Sequence, residues 1–300
     1  MEAQEDWAAW AVGGGGGSPR SGRARGAGAS DPDLHGVTHV GRVRRENQDH
    51  FLIARLGPRA GVVATSLPPQ DTPRFPVGVS FPEVRLLAVA DGVRGGPAGE
   101  EASRTALRLL PLCISDALGP GAPIDDMADR LSRAILRLHE HFMEIGRHRL
   151  TVRGMATTLT AWIERGDRAW LVQVGDSRCY RLRSGTLARL SRDQTLAQRL
   201  VDQGVARRVD EAPPGWTNIL TSALGGHELE PDVRVFDASP GDTLLLCSDG
   251  LTKHLTDREI QAILQGPPSA ETACGRLVDR TLAEGGTDNV AVVVSRPLEG

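Results

Sequence analysis

Residues 156–190 read ATTLTAWIERGDRAWLVQVGDSRCYRLRSGTLARL. Four short apolar runs, ATTLTAWIE (156–164), AWLVQV (169–174), CYRLR (179–183) and TLARL (186–190), are separated by RGD, GDSR and SG. Runs of this length bounded by Gly, Asp and Ser read as strands joined by tight turns, so the segment predicts a meander of antiparallel strands. On its N-terminal side lie two helical stretches. The first covers 99–119 and is expected to kink or split at Pro111. The second covers 124–148, where Met127, Leu131, Ile135, Leu138, Phe142 and Ile145 fall three or four apart and share one face. Further upstream, HGVTHVGRV (35–43), DHFLIARL (49–56) and VRLLAVA (84–90) read as extended. Downstream come a helical segment near 195–204, strand candidates DVRVF (232–236) and DTLLLCS (242–248), helices near 256–265 and 269–284, and a last strand NVAVVVS (289–295). Strand clusters thus alternate with helix pairs instead of strand with helix. That predicts an α+β layered domain with largely antiparallel sheets and argues against a doubly wound fold. There is no G-x-G-x-x-G or Walker motif, and no internal repeat.

The flanks differ in composition. Residues 1–30 carry GGGGGS (13–18) and SGRARGAGAS (21–30), which bury too little apolar surface to offset chain entropy. They are expected to form a disordered Gly-rich tail, leaving 31–300 as the folded domain. Six prolines stud 57–83, which reads as a loop or irregular insertion. The chain is 40% hydrophobic but only 4% aromatic, so its core must be mostly aliphatic. A formal charge of −3 argues against a broad nucleic-acid surface. Cys113, Cys179, Cys247 and Cys274 are far apart and form no CxxC; they are expected to be small buried hydrophobes in a reducing cytoplasm. The N-terminus lacks the pattern of a secretory signal. No run approaches the ~20 apolar residues that cross a bilayer. A soluble cytoplasmic protein without a membrane span is expected.

One feature recurs along the extended segments. VRLLAVA stops at Asp91-Gly92 and DTLLLCS at Asp249-Gly250, WLVQVG runs into Asp176, Asp49 opens the second strand and Asp288 precedes the last. Singly, each has a bland reading as a turn residue, because Asp-Gly is a common hairpin turn. Strand ends gathered at one edge of a layered sheet would instead collect the carboxylates in one place. Such a cluster repels itself unless a cation neutralises it. All-oxygen donors suit Mg²⁺ or Mn²⁺, and no His or Cys clustering supports zinc. Gly92, lacking a Cβ, lets its backbone approach a ligand closely, so its carbonyl could coordinate; a plain turn glycine explains the dipeptide equally well. In GRVRRENQD (41–49), Arg44 could present its guanidinium fork to a phosphate, or simply be solvated.

In order along the chain stand VRRENQD (43–49), LAVADG (87–92) with GEEAS (99–103), GMATTLT (154–160), VGDSRCYRLRSG (174–185), LSRDQTLAQRLVDQG (190–204), TSALG (221–225), LLCSDGLT (245–252) and GTDNVAVVV (286–294). With these segments the chain resembles the PPM family of metal-dependent protein phosphatases, the protein phosphatase 2C type in its compact bacterial form, over roughly 34–295. The resemblance implies an α-β-β-α sandwich of two mostly antiparallel sheets flanked by helix pairs, with a metal cleft at one edge. It implies two Mn²⁺ or Mg²⁺ ions held by Asp49, Asp91, Asp249, Asp288 and the Gly92 carbonyl, with Asp176 serving a weaker third ion. It implies that Arg44 grips the substrate phosphate and that 195–220 form a flap beside the cleft. The implied reaction is hydrolysis of phosphoserine and phosphothreonine in proteins by a metal-activated water, opposing a bacterial Ser/Thr kinase, in a monomer. The chain departs from the family's pattern at DGVRGGP (91–97), where Val93, Arg94 and Gly96 replace the usual residues, and at Ser222 and ARRVDEAPPGW (206–216). The altered 93–97 segment supports the alternative of a pseudophosphatase that binds phosphoproteins without turnover.

Overall fold

A computed structural model describes residues 32–75, 81–93, 97–119, 123–266 and 269–298. The Gly-rich stretch 1–30 and the altered residues Arg94 and Gly96 lie outside the described residues. Twelve strands are described in the order β1 (Asp33–His39), β2 (Asp49–Leu56), β3 (Gly61–Thr65), β4 (Val84–Val93), β5 (Ala156–Thr157), β6 (Leu159–Arg165), β7 (Arg168–Val174), β8 (Arg178–Arg183), β9 (Thr186–Arg189), β10 (Asp232–Asp237), β11 (Thr243–Cys247) and β12 (Val290–Arg296). Helices α1 (Pro97–Ala117) and α2 (Met127–His148) follow β4, and α3 (Leu196–Asp202) follows β9. Helix α4 (Asp249–Thr252), α5 (Asp257–Gln265) and α6 (Ala270–Ala283) separate β11 from β12.

Two antiparallel sheets result. One runs β1-β12-β11-β8-β9, and the other runs β10-β7-β6-β4-β2-β3 with β5 attached to β4. Both sheets are apolar on both faces, and the reason is layering. Phe51, Ile53, Leu87, Val89, Trp162 and Leu171 of the larger sheet meet Cys179, Leu244, Leu246, Ala291 and Val293 of the smaller in one buried cluster. The opposite face of the larger sheet packs Leu86, Ala88 and Val172 against Leu107, Leu110 and Ile114 of α1 and Leu131, Ile135 and Phe142 of α2. The opposite face of the smaller sheet packs Leu245, Val292 and Val294 against Ile260 and Leu264 of α5 and Cys274 and Leu277 of α6. The α-β-β-α sandwich is therefore the observed fold.

Three expectations need correction. The meander over 156–190 is divided between the sheets: β6–β7 and β8–β9 are hairpins of different layers. The GDSR turn carries the chain across, starting at Gly175, whose φ of +93° only glycine adopts readily. Helix α1 runs unbroken past Pro111. Proline removes one backbone hydrogen bond there, yet Leu107, Leu110, Cys113 and Ile114 around it are buried against the sheet, and that packing keeps the helix in register. The segment 57–83 is not wholly irregular, since Gly61–Thr65 pairs antiparallel with β2 across a bulge at Ile53/Ala54. As β3 it occupies the sheet edge, where flanking prolines interrupt no ladder. No described helix is long and apolar enough to cross a membrane.

Candidate metal centre

The acidic residues gather where both sheets end. Asp49 and Asp91 are register partners on β2 and β4, in the larger sheet. Asp176 lies in the crossover turn after β7. Asp249 opens α4 just after β11, and Asp288 stands two residues before β12. Asp91, Asp176, Asp249 and Asp288 line one cleft of ≈ 580 Å³, together with Arg44, Gly92, Val93 and Lys253. Asp49 lies beneath it, 1% exposed. Two local expectations change. Asp91 is not the end of its strand, because β5 pairs with Gly92 and Val93 and extends β4 beyond it. Asp249 is not in a hairpin turn but begins a helix, and the glycine after it serves packing. A Cβ on Gly250 would lie 1.8 Å from the Asn289 carbonyl oxygen, so SDG lets α4 press against the start of β12. A Cβ on Gly92 would likewise lie 2.3 Å from the Gly99 carbonyl oxygen. The close approach inferred for Gly92 is thus made to the chain's own α1.

Backbone around the acids is held by buried hydroxyls and amides. Thr157 Oγ1 donates to the Asp91 carbonyl at 2.9 Å, and the Asp91 N–H donates to Thr158 Oγ1 at 3.0 Å. Thr158 Oγ1 also meets Ser177 Oγ at 2.7 Å. Gln173 Nε2 donates to the carbonyls of Gly175 and Ser177, and Thr160 Oγ1 donates to Gln173 Oε1. This fully buried network ties Asp91 to the turn that carries Asp176. On the other side, Asn289 Oδ1 accepts from the Gln48 N–H at 2.9 Å, while its Nδ2 donates to the carbonyls of Val40 and Glu46. The loop bearing Arg44 is thereby fastened to the start of β12.

The electrostatics are those of crowded, desolvated carboxylates. Burial, with Asp249 and Asp288 nearby, raises Asp49 to about 7. Burial and the charges of Asp49, Asp249 and Asp176 push Asp91 well above the usual range. Burial, with Asp249 and Asp193 adding, raises Asp176 to about 8. Asp288 goes the other way: burial alone would raise it, but hydrogen bonds from Lys253 and Arg44 pull it down. Arg44 Nε and Nη2 reach the two Asp288 oxygens at 2.8 and 3.0 Å. Lys253 Nζ reaches Asp249 at 2.6 Å and Asp288 at 2.8 Å. Arg44, the residue expected to meet a substrate phosphate, rests on Asp288 here, at the cleft and 55% exposed.

The donor set fits a hard divalent cation. Both Asp49 carboxylate oxygens are fully buried and make no hydrogen bond of ordinary geometry, with Ser248 and Asp91 the polar groups beside them, which is costly for the charged form unless a cation is its partner. Among the described residues no three Asp, Glu, His or Cys groups stand close enough to enclose an ion in this conformation. Lys253 and Arg44 occupy that role for Asp249 and Asp288. All four cysteines are free and buried, and burial raises every thiol, so none offers a thiolate.

The segment 195–220 closes on itself beside the cleft. A bridge joins Thr195 to Leu220, and the Leu196 N–H donates to the Ile219 carbonyl at 2.9 Å. Asn218 and Leu220 reach the cleft wall. Motif reasoning missed Lys253, Asn289, Thr157, Thr158, Gln173 and Ser177. For Thr157, Thr158 and Gln173 the signal was a polar side chain inside an otherwise apolar run, which must be satisfied locally when buried; Lys253 carried no such signal.

The sequence profile of the family described as Protein phosphatase 2C matches residues 62–283. The chain belongs to that family. It is 39% identical over 211 residues to the serine/threonine protein phosphatase PstP of Mycobacterium tuberculosis, covering 70% of this chain and 40% of that protein. It is 32% identical over 213 residues to the serine/threonine phosphatase stp of Listeria welshimeri, covering 70% of this chain and 83% of the relative. The chain thus spans about two fifths of the length of its mycobacterial relative. Among solved structures, the catalytic domain of PstP in complex with two manganese ions superposes with a TM-score of 0.64 at 31% identity, over 90% of this chain and 99% of that one.

Proposed function

We propose that the chain is a metal-dependent phosphatase that hydrolyses phosphoserine and phosphothreonine in proteins. The observation that carries this reading is the buried, unpartnered carboxylate of Asp49 beneath a cleft lined by Asp91, Asp176, Asp249 and Asp288. Membership of a phosphatase family and the manganese in PstP support the same reading.

Asp49, Asp91, Asp249, Asp288 and the Gly92 carbonyl would hold two Mn²⁺ or Mg²⁺ ions, with Asp176 available to a third. Bound, such ions supply charge neutralisation and an activated water. The chain's own residues do the rest. Arg44 turns from Asp288 to the substrate phosphate, where its fork makes two parallel charge-assisted bonds. The Thr157–Thr158–Ser177 network holds the Asp91 backbone still, so that the acids keep their spacing when charged. Among the described residues no cysteine lines the cleft, and direct hydrolysis is the fitting route. Residues 31–300 form the catalytic unit, and 195–220 act as a flap over the substrate. The chain works as a cytoplasmic monomer and reverses a Ser/Thr kinase in signalling. The pseudophosphatase alternative rested on 93–97, and the phosphatase relatives weigh against it.

The test is phosphate release from a phosphothreonine peptide by the purified protein in Mn²⁺ and then in EDTA. Release in Mn²⁺ that EDTA abolishes is the expected result. No release in a protein that demonstrably binds Mn²⁺ would overturn the reading.

A further inference from the structure

Of the 35 Lys and Arg residues only Lys253 is a lysine, and it sits in the acidic cleft. The local fold puts it there. It follows Asp249 by four positions, its N–H donates to the Asp249 carbonyl at 2.8 Å, and its side chain therefore lies over the Asp249 carboxylate. The ammonium then spans to Asp288, so it joins the end of β11 to the start of β12. An ammonium is a compact point charge with three donors, closer in form to a hydrated metal ion than a planar guanidinium is. It is only 33% exposed. The two carboxylates it holds are among the donors that a divalent cation would need, and Asp49 below them is left with no partner.

We propose that Lys253 is a built-in competitor of the divalent cation: its ammonium neutralises Asp249 and Asp288 in the metal-free protein and must leave them when the ion binds. This rests on the assignment of these aspartates as ligands. The lysine keeps the acidic end of the sandwich neutralised without metal, and it weakens metal affinity in return. Binding is tuned by the chain itself.

The test uses the full chain and Mn²⁺ alone, by calorimetric titration of the wild type and Lys253→Met, a swap that keeps the unbranched stem. The variant should bind Mn²⁺ about tenfold more tightly, the order expected from removing one partly screened charge beside the site. Equal or weaker binding by the folded variant would overturn the proposal. Binding by neither protein would instead sink the assignment of the aspartates, and the proposal with it. A second readout needs no variant. As the chain's single lysine, Lys253 can be followed by amine acetylation and peptide-resolved mass spectrometry. Saturating Mn²⁺ should speed its modification several-fold, and an unchanged or slower rate would count against displacement.

Discussion

Asn289→Ala removes the clamp that fastens the loop 40–48 to the start of β12. Asn289 is 6% exposed and makes three hydrogen bonds with its side chain, one from the Gln48 N–H and two to the carbonyls of Val40 and Glu46. At about 1 kcal/mol net for each bond, the loss is about 3 kcal/mol. Glu46 is exposed and Val40 and Gln48 are half-buried, so water replaces part of it and about 2 kcal/mol is the better figure. For a domain of this size that lowers Tm by about 4–8 °C. The assay is thermal unfolding in EDTA, with amide hydrogen exchange to locate the change. Exchange should quicken at Gln48 and through 40–48, while the sandwich core stays protected. Because the loop carries Arg44, KM for a phosphopeptide should also rise. Unchanged Tm and unchanged exchange over 40–48 would mean that the three bonds contribute nothing and that Asn289 does not hold the loop.

Asp249→Asn should abolish Mn²⁺-dependent phosphate release while circular dichroism stays that of the folded protein; near-wild-type release would remove Asp249 from the ligand set. Arg44→Ala should act mainly on KM if the proposed contact with the substrate phosphate is made; an unchanged KM would leave Arg44 as a partner of Asp288 only. Metal-free stability should fall between pH 6.5 and 8, the upper end of a decline that begins near pH 4. Asp49 and Asp176, raised from 3.8 to about 7 and about 8, keep protons in the fold that the unfolded chain has released, so stability drops as pH rises through those values. His50, lowered by burial from 6.5 to about 4, works the other way but only below pH 6.5. Tm in EDTA should therefore decline across this window and in saturating Mn²⁺ it should not; a flat EDTA profile would contradict the burial of the two acids.

The layered fold was legible because its signals are local. The 3.6-residue period of α2 and the uninterrupted apolar runs of β2, β4, β11 and β12 each specify an element and the faces it must bury. What was not legible depended on partners distant in sequence. Nothing near 175 shows that the GDSR turn changes sheets, since hairpin turns and crossover turns use the same residues. Pro111 signals a break that only the sheet beneath α1 overrides. Gly61–Thr65 becomes a strand because β2 offers an edge. The acids were legible as a set, because each stands at a strand margin and the margins share one end. Lys253 was not, because a base after SDGLT has no meaning until α4 folds it back over Asp249 and brings Asp288 alongside.

The site also shows why the acids sit on strand margins and not in free loops. Carboxylates that repel one another keep their place when their main chain is held, and Asp91, Asp249 and Asp288 stand on main chain whose hydrogen bonds are already made. Asp91 is held by Thr157 and Thr158, and Asp249 by the first turn of α4. Asp288 adjoins Asn289, whose N–H it accepts at 3.0 Å. Cations offset the cost of holding the outer pair: Arg44 and Lys253 bridge Asp288, and Lys253 also reaches Asp249. Asp49 and Asp91 contact neither base. Burial raises both, and the charge of Asp49 raises Asp91 further. Were a divalent ion held here, Asp249 and Asp288 could serve it only as Lys253 and Arg44 let go, whereas Asp49 and Asp91 would have no base to release.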